Sequence, residues 1–120
     1  MNKIRISIIC IIILLSTSYS FAQGTIFTAA RSNDTELLRD LLSKNIEVNS
    51  VDERGSSALI IASYNGNYEA TKLLLENGAN PNIQDKMGNT ALMGLCFKRF
   101  DEIANLLLQY KIDVNLQNYN

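Results

Sequence analysis

The chain has 120 residues, enough for one small domain, and its apolar fraction of 47% is typical of a globular protein. It contains no His, so it lacks both the commonest general base and the commonest metal ligand. The formal net charge of -1 gives no strong attraction to nucleic acid or to an anionic membrane.

Residues 1–22 have the pattern of an export signal. Two basic residues precede an apolar stretch from Ile6 to Leu15, and a short polar region ends in the small residues Ser20 and Ala22. A basic start, about ten apolar residues and small residues at both cleavage subsites are typical of a signal peptide. We predict cleavage after Ala22, which makes Gln23 the N-terminus of the exported chain.

An uncleaved membrane anchor is the alternative, because no charge occurs between Arg5 and Arg31 and a spanning helix needs about 20 residues. The polar run from Ser16 to Ser20 argues against such a helix. Cleavage would leave nine basic and twelve acidic residues, a net charge of -3, and would remove Cys10. The remaining Cys96 is interpreted as a small core residue of an apolar helix, since no His is present to activate it as a nucleophile.

From position 19 onward the chain repeats itself at a fixed period and without gaps, which indicates a repeat protein. The three lines of equal length are YSFAQGTIFTAARSNDTELLRDLLSKNIEVNSV (19–51), DERGSSALIIASYNGNYEATKLLLENGANPNIQ (52–84) and DKMGNTALMGLCFKRFDEIANLLLQYKIDVNLQ (85–117). The predicted domains are therefore an N-terminal capping repeat at 23–51, full repeats at 52–84 and 85–117, and the start of a further repeat at 118–120.

Each repeat is predicted to begin with a turn and a first helix. Asp52 and Asp85 open the turn, with a Gly three residues on, because Asp bonds its own backbone and Gly tolerates positive φ. Ser57 and Thr90 are the predicted N-caps, since a hydroxyl accepts from the free amides of a first turn. The first helices are ALIIASY and ALMGLCF, and a break follows at residues 65–67.

The second helix of each repeat and the link after it complete the unit. These helices are predicted at YEATKLLLEN and DEIANLLLQY, and Gly78 ends the first of them in the left-handed conformation. An extended stretch containing Asn82 or Asn115 then leads into the next turn.

In period, order of elements and turn chemistry, the chain resembles the ankyrin repeat. The segments GNTAL, NGNYEATKLLLENGANPN and DEIANLLLQYKIDVN carry the resemblance, which covers nearly the whole exported chain. It implies an all-α repeat solenoid of about three stacked 33-residue helix-turn-helix repeats, joined by β-turn or hairpin connections.

Several positions depart from the family pattern. The Thr-Pro-Leu-His opening reads Ser57-Ala58-Leu59-Ile60, so some hydrogen bonds between adjacent turns are expected to be missing. The Gly at the helix break is replaced by Asn33 and Arg99, and the Gly at the helix end by Asn45 and Lys111. Arg and Lys each cost about 1 kcal/mol in the left-handed region, so the third repeat is expected to be the loosest.

The predicted core consists of apolar residues that face a neighbouring helix: Ile26, Ala29, Leu38, Leu41, Leu42, Leu59, Ala62, Leu74, Leu75, Leu92, Leu95, Leu107 and Leu108. The last repeat keeps its Leu run and is expected to expose part of it, which suggests weak self-association. The C-terminus is read either as a natural end or as the truncated part of a longer array.

The resemblance implies a function in protein binding, because the family usually contacts a partner through a concave surface of turn tips and first-helix side chains. The positions that match this surface are Arg31, Glu53, Arg54, Ser56, Tyr64, Asn65, Lys86, Met87, Asn89, Phe97 and Lys98. Tyr64 and Phe97 occupy the same position in successive repeats and are expected side by side, where aromatic rings near an Arg are typical of binding hot spots. The alternative is that both rings only cover the groove between helices.

Other functional classes find little support in the residues. No metal-binding Cys or His spacing and no Gly-rich phosphate loop is present, so neither a metal nor a cofactor is expected. The acidic pairs Asp52-Glu53 and Asp101-Glu102 lie at a turn and a helix start, where carboxylates have structural roles. Lys98-Arg99 is the one adjacent basic pair, too little for nucleic-acid binding.

We therefore expect an exported, non-catalytic interaction module, working as a monomer in a bacterial periplasm or outside the cell. A membrane-anchored structural scaffold is the alternative.

Overall fold

The computed structural model describes residues 26–120, apart from the side chain of Phe97. The interpretation of residues 1–22 as a signal peptide and the cleavage site at Ala22 and Gln23 lie outside the described residues. None of the helices within residues 26–120 has the length and hydropathy needed to cross a bilayer.

Within residues 26–120, six helical segments follow one another in three pairs, as the repeat pattern predicts. They are α1 (residues 26–32) and α2 (Thr35–Ser43), α3 (Ala58–Tyr64) and α4 (Tyr68–Glu76), and α5 (Ala91–Lys98) and α6 (Asp101–Leu107). Residues 26–120 contain no strand. The sequence left open whether the repeats are joined by turns or by hairpins, and within these residues the connection before α3 contains only one isolated antiparallel bridge, between Val51 and Ser57. The predicted all-α solenoid is confirmed, with turns rather than hairpins as connections.

The first helices of the second and third repeats begin at the predicted caps. The Ser57 hydroxyl accepts from the Ile60 N–H at 3.2 Å, and the Thr90 hydroxyl accepts from the Met93 N–H at 3.3 Å. The helices α2 to α6 have only seven to nine residues. Helices this short are unstable alone in water, so their stability depends on packing.

The two predicted turns have the same hydrogen bonds. The Asp52 carboxylate accepts from the N–H groups of Arg54 and Ser56, both at 2.9 Å. One repeat later the Asp85 carboxylate accepts from Met87 and Asn89, again at 2.9 Å. Each Asp side chain therefore stabilises its own turn, and its carboxylate is occupied by hydrogen bonds from backbone N–H groups.

Neighbouring turns are joined through their backbones. The Lys86 N–H donates to the Arg54 carbonyl at 3.0 Å, and the Tyr119 N–H donates to the Met87 carbonyl at 2.9 Å. Gly55 has φ +76°, and a Cβ there would lie 3.0 Å from the Lys86 nitrogen. Glycine thus meets two demands at this position, the left-handed backbone and the close approach of the next turn.

The core runs along the stack between the helix pairs. Helix α3 packs against α5, and α4 packs against both α2 and α6. Leu41, Leu74 and Leu107 occupy equivalent positions in the three repeats and are all buried. The buried residues include most of the predicted core, namely Ile26, Ala29, Leu38, Leu41, Leu59, Ala62, Leu74, Leu75, Leu95 and Leu107, whereas Leu42 and Leu92 are half-buried.

Two core assignments were wrong. Leu108 is 55% exposed, although its counterpart one repeat earlier, Leu75, is only 3% exposed. The difference arises because α4 lies between two helices, whereas no described helix packs on the far side of α6. Cys96, interpreted as a core residue, is exposed on α5.

Most of the predicted left-handed positions are confirmed, but one is wrong. Gly78 has φ +88°, Asn45 has φ +58°, and Asn33 and Arg99 occupy the same region at φ +57° and +55°. Lys111 does not have positive φ. Helix α6 ends at Leu107, two residues before the position that matches the end of α4, so the chain leaves it without a left-handed residue.

Side-chain amides bridge the links between repeats. The Asn49 side-chain oxygen accepts from the Asn80 N–H at 2.7 Å. One repeat on, the Asn82 oxygen accepts from the Asp113 N–H at 2.8 Å, and its amide donates to the Lys111 carbonyl at 3.0 Å. From the sequence, Asn82 was expected only as part of an extended link, and its bonds to the next repeat were not foreseen.

We predict that Leu74→Ala lowers the free energy of unfolding by about 2–5 kcal/mol, because it opens a cavity in the centre of the stack. The exposed Leu108→Ala should change it by less than about 0.5 kcal/mol. Urea denaturation followed by circular dichroism measures both values. A Leu74→Ala variant as stable as the wild type would refute the stacking described here.

Asn82→Ala should lower the free energy of unfolding by about 1–2 kcal/mol, because it removes two hydrogen bonds between the second and third repeats. Asn115 is the matched control, since it occupies the same place one repeat later and its side chain makes no hydrogen bond within residues 26–120. Asn115→Ala should stay within about 0.5 kcal/mol of the wild type in the same denaturation experiment. Equal losses for the two variants would show that the bridge does not stabilise the stack.

Candidate partner-binding groove

A groove lies between the turn tips and the ends of α1 and α3. Its volume is about 630 Å³. Its lining residues are Arg31, Asp52, Glu53, Arg54, Ser56, Ile60, Ile61, Tyr64, Asn65, Asp85, Lys86 and Met87. Clefts that bind ligands in proteins have volumes of about 300–1,000 Å³, so the groove has room for a few side chains of a partner.

The turns form one wall of the groove. Arg54, Lys86 and Met87 are exposed at their tips. The carboxylates of Asp52 and Asp85 accept backbone N–H groups of their own turns, and the Lys86 N–H joins the two turns, so hydrogen bonds hold this wall in place. A wall held in this way loses little conformational entropy when it binds a partner.

The opposite side of the groove is apolar and belongs to α3. Tyr64 lies four residues after Ile60 and three residues after Ile61, so each isoleucine is its neighbour on the surface of this helix. Ile61 is buried, Ile60 is half-buried and Tyr64 is 50% exposed. The helix therefore offers apolar surface that deepens from the ring of Tyr64 towards the isoleucines.

The neighbouring repeat fixes the ring of Tyr64. A Cβ at Gly94 of α5 would lie 3.3 Å from the ring, so the absence of a side chain there makes room for it. Four residues on, the Lys98 ammonium lies 4.8 Å from the ring centroid, a cation–π distance. Tyr64 is thus held between two positions on one face of α5 and stands at the boundary between two repeats.

The exposed charges of the groove are mostly positive. Arg31, Arg54 and Lys86 are exposed lining residues, and Glu53 is the one exposed acidic residue among those that line it. The one ion pair within residues 26–120 joins Lys44 and Asp40, away from the groove. The groove cations therefore have no carboxylate partner in the described part of the chain.

The groove gathers most of the residues that the sequence predicted for partner binding. Eight of the eleven line it: Arg31, Glu53, Arg54, Ser56, Tyr64, Asn65, Lys86 and Met87. Asn89 lines a smaller recess of about 210 Å³ that shares Ile60, Tyr64 and Asp85 with the groove, and Lys98 contacts the Tyr64 ring. The side chain of Phe97 lies outside the described part, so its pairing with Tyr64 stays a prediction.

Sequence reasoning missed the floor of the groove. Ile60 and Ile61 read as ordinary apolar residues of a helix, with nothing to distinguish a groove floor from a core. One signal was present: Ile60 stands at the His position of the family's Thr-Pro-Leu-His opening, and it lines the groove together with residues of the turns. An apolar residue at that place leaves surface for a partner.

The described residues show little that could perform chemistry. Within residues 26–120, no cluster of three or more His, Cys, Asp or Glu side chains could hold a metal ion. The carboxylates of Asp52 and Asp85 are engaged by their own turns, and Cys96 lies exposed with its sulfur 3.5 Å from the Leu92 carbonyl.

Comparison with known proteins agrees with this architecture. A search of curated protein sequences found no match to the chain. A family model described as ankyrin repeats (3 copies) matches residues 26–118, which include all six described helices. The chain therefore belongs to the ankyrin-repeat family.

Proposed function

We propose that this chain is an exported, non-catalytic module that binds a partner protein through the groove. Ankyrin repeats are generally protein–protein interaction modules, and the family is typically non-catalytic. The proposal adds to this general role a surface, defined by the groove, and a location outside the cytoplasm.

The observation that carries the proposal is the setting of Tyr64. A half-exposed aromatic ring, in contact with Gly94 and Lys98 of the next repeat, lines the groove together with Arg54 and Met87 of the turn wall. Aromatic residues, Arg and Met are the types enriched in protein interfaces. Tyr64 also lines both the groove and the smaller recess beside it, and aromatic residues are frequent binding hot spots.

Export is supported by the sequence of residues 1–22, with its basic start, apolar core and small residues before Gln23. A bacterial periplasm or the extracellular space is the proposed location. The alternative is a membrane-anchored scaffold that keeps its N-terminus. Mass spectrometry of the exported protein distinguishes them, because a start at Gln23 excludes the anchor and a start at Met1 excludes cleavage.

Two further alternatives concern assembly. The exposed Leu108, Val114 and Tyr119 lie at or after the end of α6, where weak self-association would occur. The same surface would be covered by further repeats if the chain is part of a longer array. Sedimentation velocity of the exported chain at increasing concentration tests the first of these, which predicts a rising average mass.

Tyr64→Ala should reduce the amount of partner captured from the envelope fraction of the producing cells by at least about tenfold, because it removes the hot-spot anchor. Leu108→Ala is the control, since that side chain is about equally exposed but lies outside the groove. Quantitative mass spectrometry of the captured proteins, with circular dichroism to verify folding, provides the measurement. Capture of the same proteins in unchanged amounts by Tyr64→Ala would contradict the groove assignment.

A further inference from the structure

We infer that the segment bound in the groove is acidic, with carboxylates on either side of an apolar side chain. This inference rests on the proposed function and adds the chemistry of the partner. Three features of the described residues support it: the exposed charges of the groove, the distribution of charge over the rest of the surface, and the apolar floor.

The exposed charges that face the groove are available to a partner. Arg31, Arg54 and Lys86 are exposed, and no carboxylate of residues 26–120 lies within ion-pair distance of them. Two of the three acidic lining residues, Asp52 and Asp85, are half-buried and accept the N–H groups of their own turns. Among the exposed lining residues, Glu53 is therefore the one negative charge against three positive charges.

The rest of the surface has the opposite balance. Residues 26–120 contain nine basic and twelve acidic side chains. The groove and the Tyr64 contact account for four of the basic ones, Arg31, Arg54, Lys86 and Lys98, and for three of the acidic ones, Asp52, Glu53 and Asp85. The remaining five basic and nine acidic residues give the other surfaces a net charge of -4, against +1 here.

This difference in charge between the groove and the other surfaces favours an acidic partner that binds at the groove. An acidic segment is attracted to the groove and repelled by the other faces, so electrostatics both steers it and limits binding elsewhere. A basic segment would be repelled by the groove and attracted to the acidic faces, so it would bind there instead. Exposed charges interact over about one Debye length, roughly 8 Å at physiological ionic strength, so the steering acts close to the groove.

The floor of the groove adds an apolar requirement. Ile60 and the ring of Tyr64 line the same groove as the cations Arg31, Arg54 and Lys86. A segment of carboxylates alone would leave this surface wet, whereas an apolar side chain between carboxylates would cover it and gain the free energy of burial. The recess beside Tyr64, lined also by Thr90 and Gly94, extends the apolar surface towards α5.

Selection of random linear peptides on the exported full chain tests the inference. We expect the selected pool to be enriched in Asp and Glu on both sides of an apolar or aromatic residue. The Arg54→Gln/Lys86→Gln variant should lose this enrichment and bind the selected peptides roughly tenfold more weakly in fluorescence anisotropy. The backbone bond between these two residues does not involve either side chain, so the turns keep their contact.

Arg39→Gln/Lys72→Gln is the matched control, because it changes the net charge equally at two exposed positions outside the groove. It should select the same acidic peptides with unchanged affinity. A pool without acidic enrichment, or an enrichment that survives in Arg54→Gln/Lys86→Gln, would overturn the inference. Equal losses in the two double variants would also overturn it, because net charge rather than the groove would then control binding.

The failure of this inference can be distinguished from the failure of the proposed function. If the Tyr64→Ala variant loses its cellular partner while the peptide pool is neutral, the groove binds proteins but not acidic segments. If Tyr64→Ala captures as much partner as the wild type, the groove assignment fails whatever peptides are selected. Single-stranded DNA added as a competitor checks the carboxylate chemistry, since displacement of the peptides at equal concentration would indicate a general anion site and contradict the inference.

Discussion

No helix pair in this chain can bury its own apolar face, and the structure depends on meeting that constraint by stacking. Helices of seven to nine residues are too short to be stable alone, so burial between neighbours must supply their stability. The middle repeat shows the result most clearly. Leu75 is buried because α4 has a helix on each side, whereas its counterpart Leu108, directly after the end of α6, is exposed.

The groove follows from the regularity of the stack. Because successive repeats have the same length, each turn lies beside the next, and Arg54 and Lys86 come together through a backbone bond. The same regular step brings Tyr64 of one repeat against Gly94 and Lys98 of the next. Side chains at turn tips and on the outer side of first helices contribute little to the core, so they can vary with the partner while the stack is kept.

Much of the fold could be predicted from the sequence, because local chemistry determines it. The turns at Asp52 and Asp85 and the caps at Ser57 and Thr90 depend on residues within four positions of each other, and all were found. Most core residues also followed from the period. The groove residues were predicted through the family resemblance, and the structure brings eight of the eleven together.

The errors and omissions concern what only neighbours in space determine. Leu108 and Cys96 were assigned to the core from apolar spacing alone, although part of the Leu run in the last repeat was expected to be exposed. Lys111 was wrongly expected to be left-handed because the early end of α6 is not visible in its residues. The bridge from Asn82 to Asp113 spans 31 residues, so composition and local pattern could not reveal it. Ile60 likewise becomes a groove floor only when the next turn is in place.

The central claim, that the groove is the surface that meets a partner, is tested most directly by photo-crosslinking in the producing cell. A photoreactive amino acid replaces Met87 in the groove or, in a second strain, Asn105 on the exposed side of α6. The account predicts that one partner protein is crosslinked from position 87 and is absent from the crosslinks at position 105. Crosslinking of that protein from position 105 but not from position 87 would contradict it.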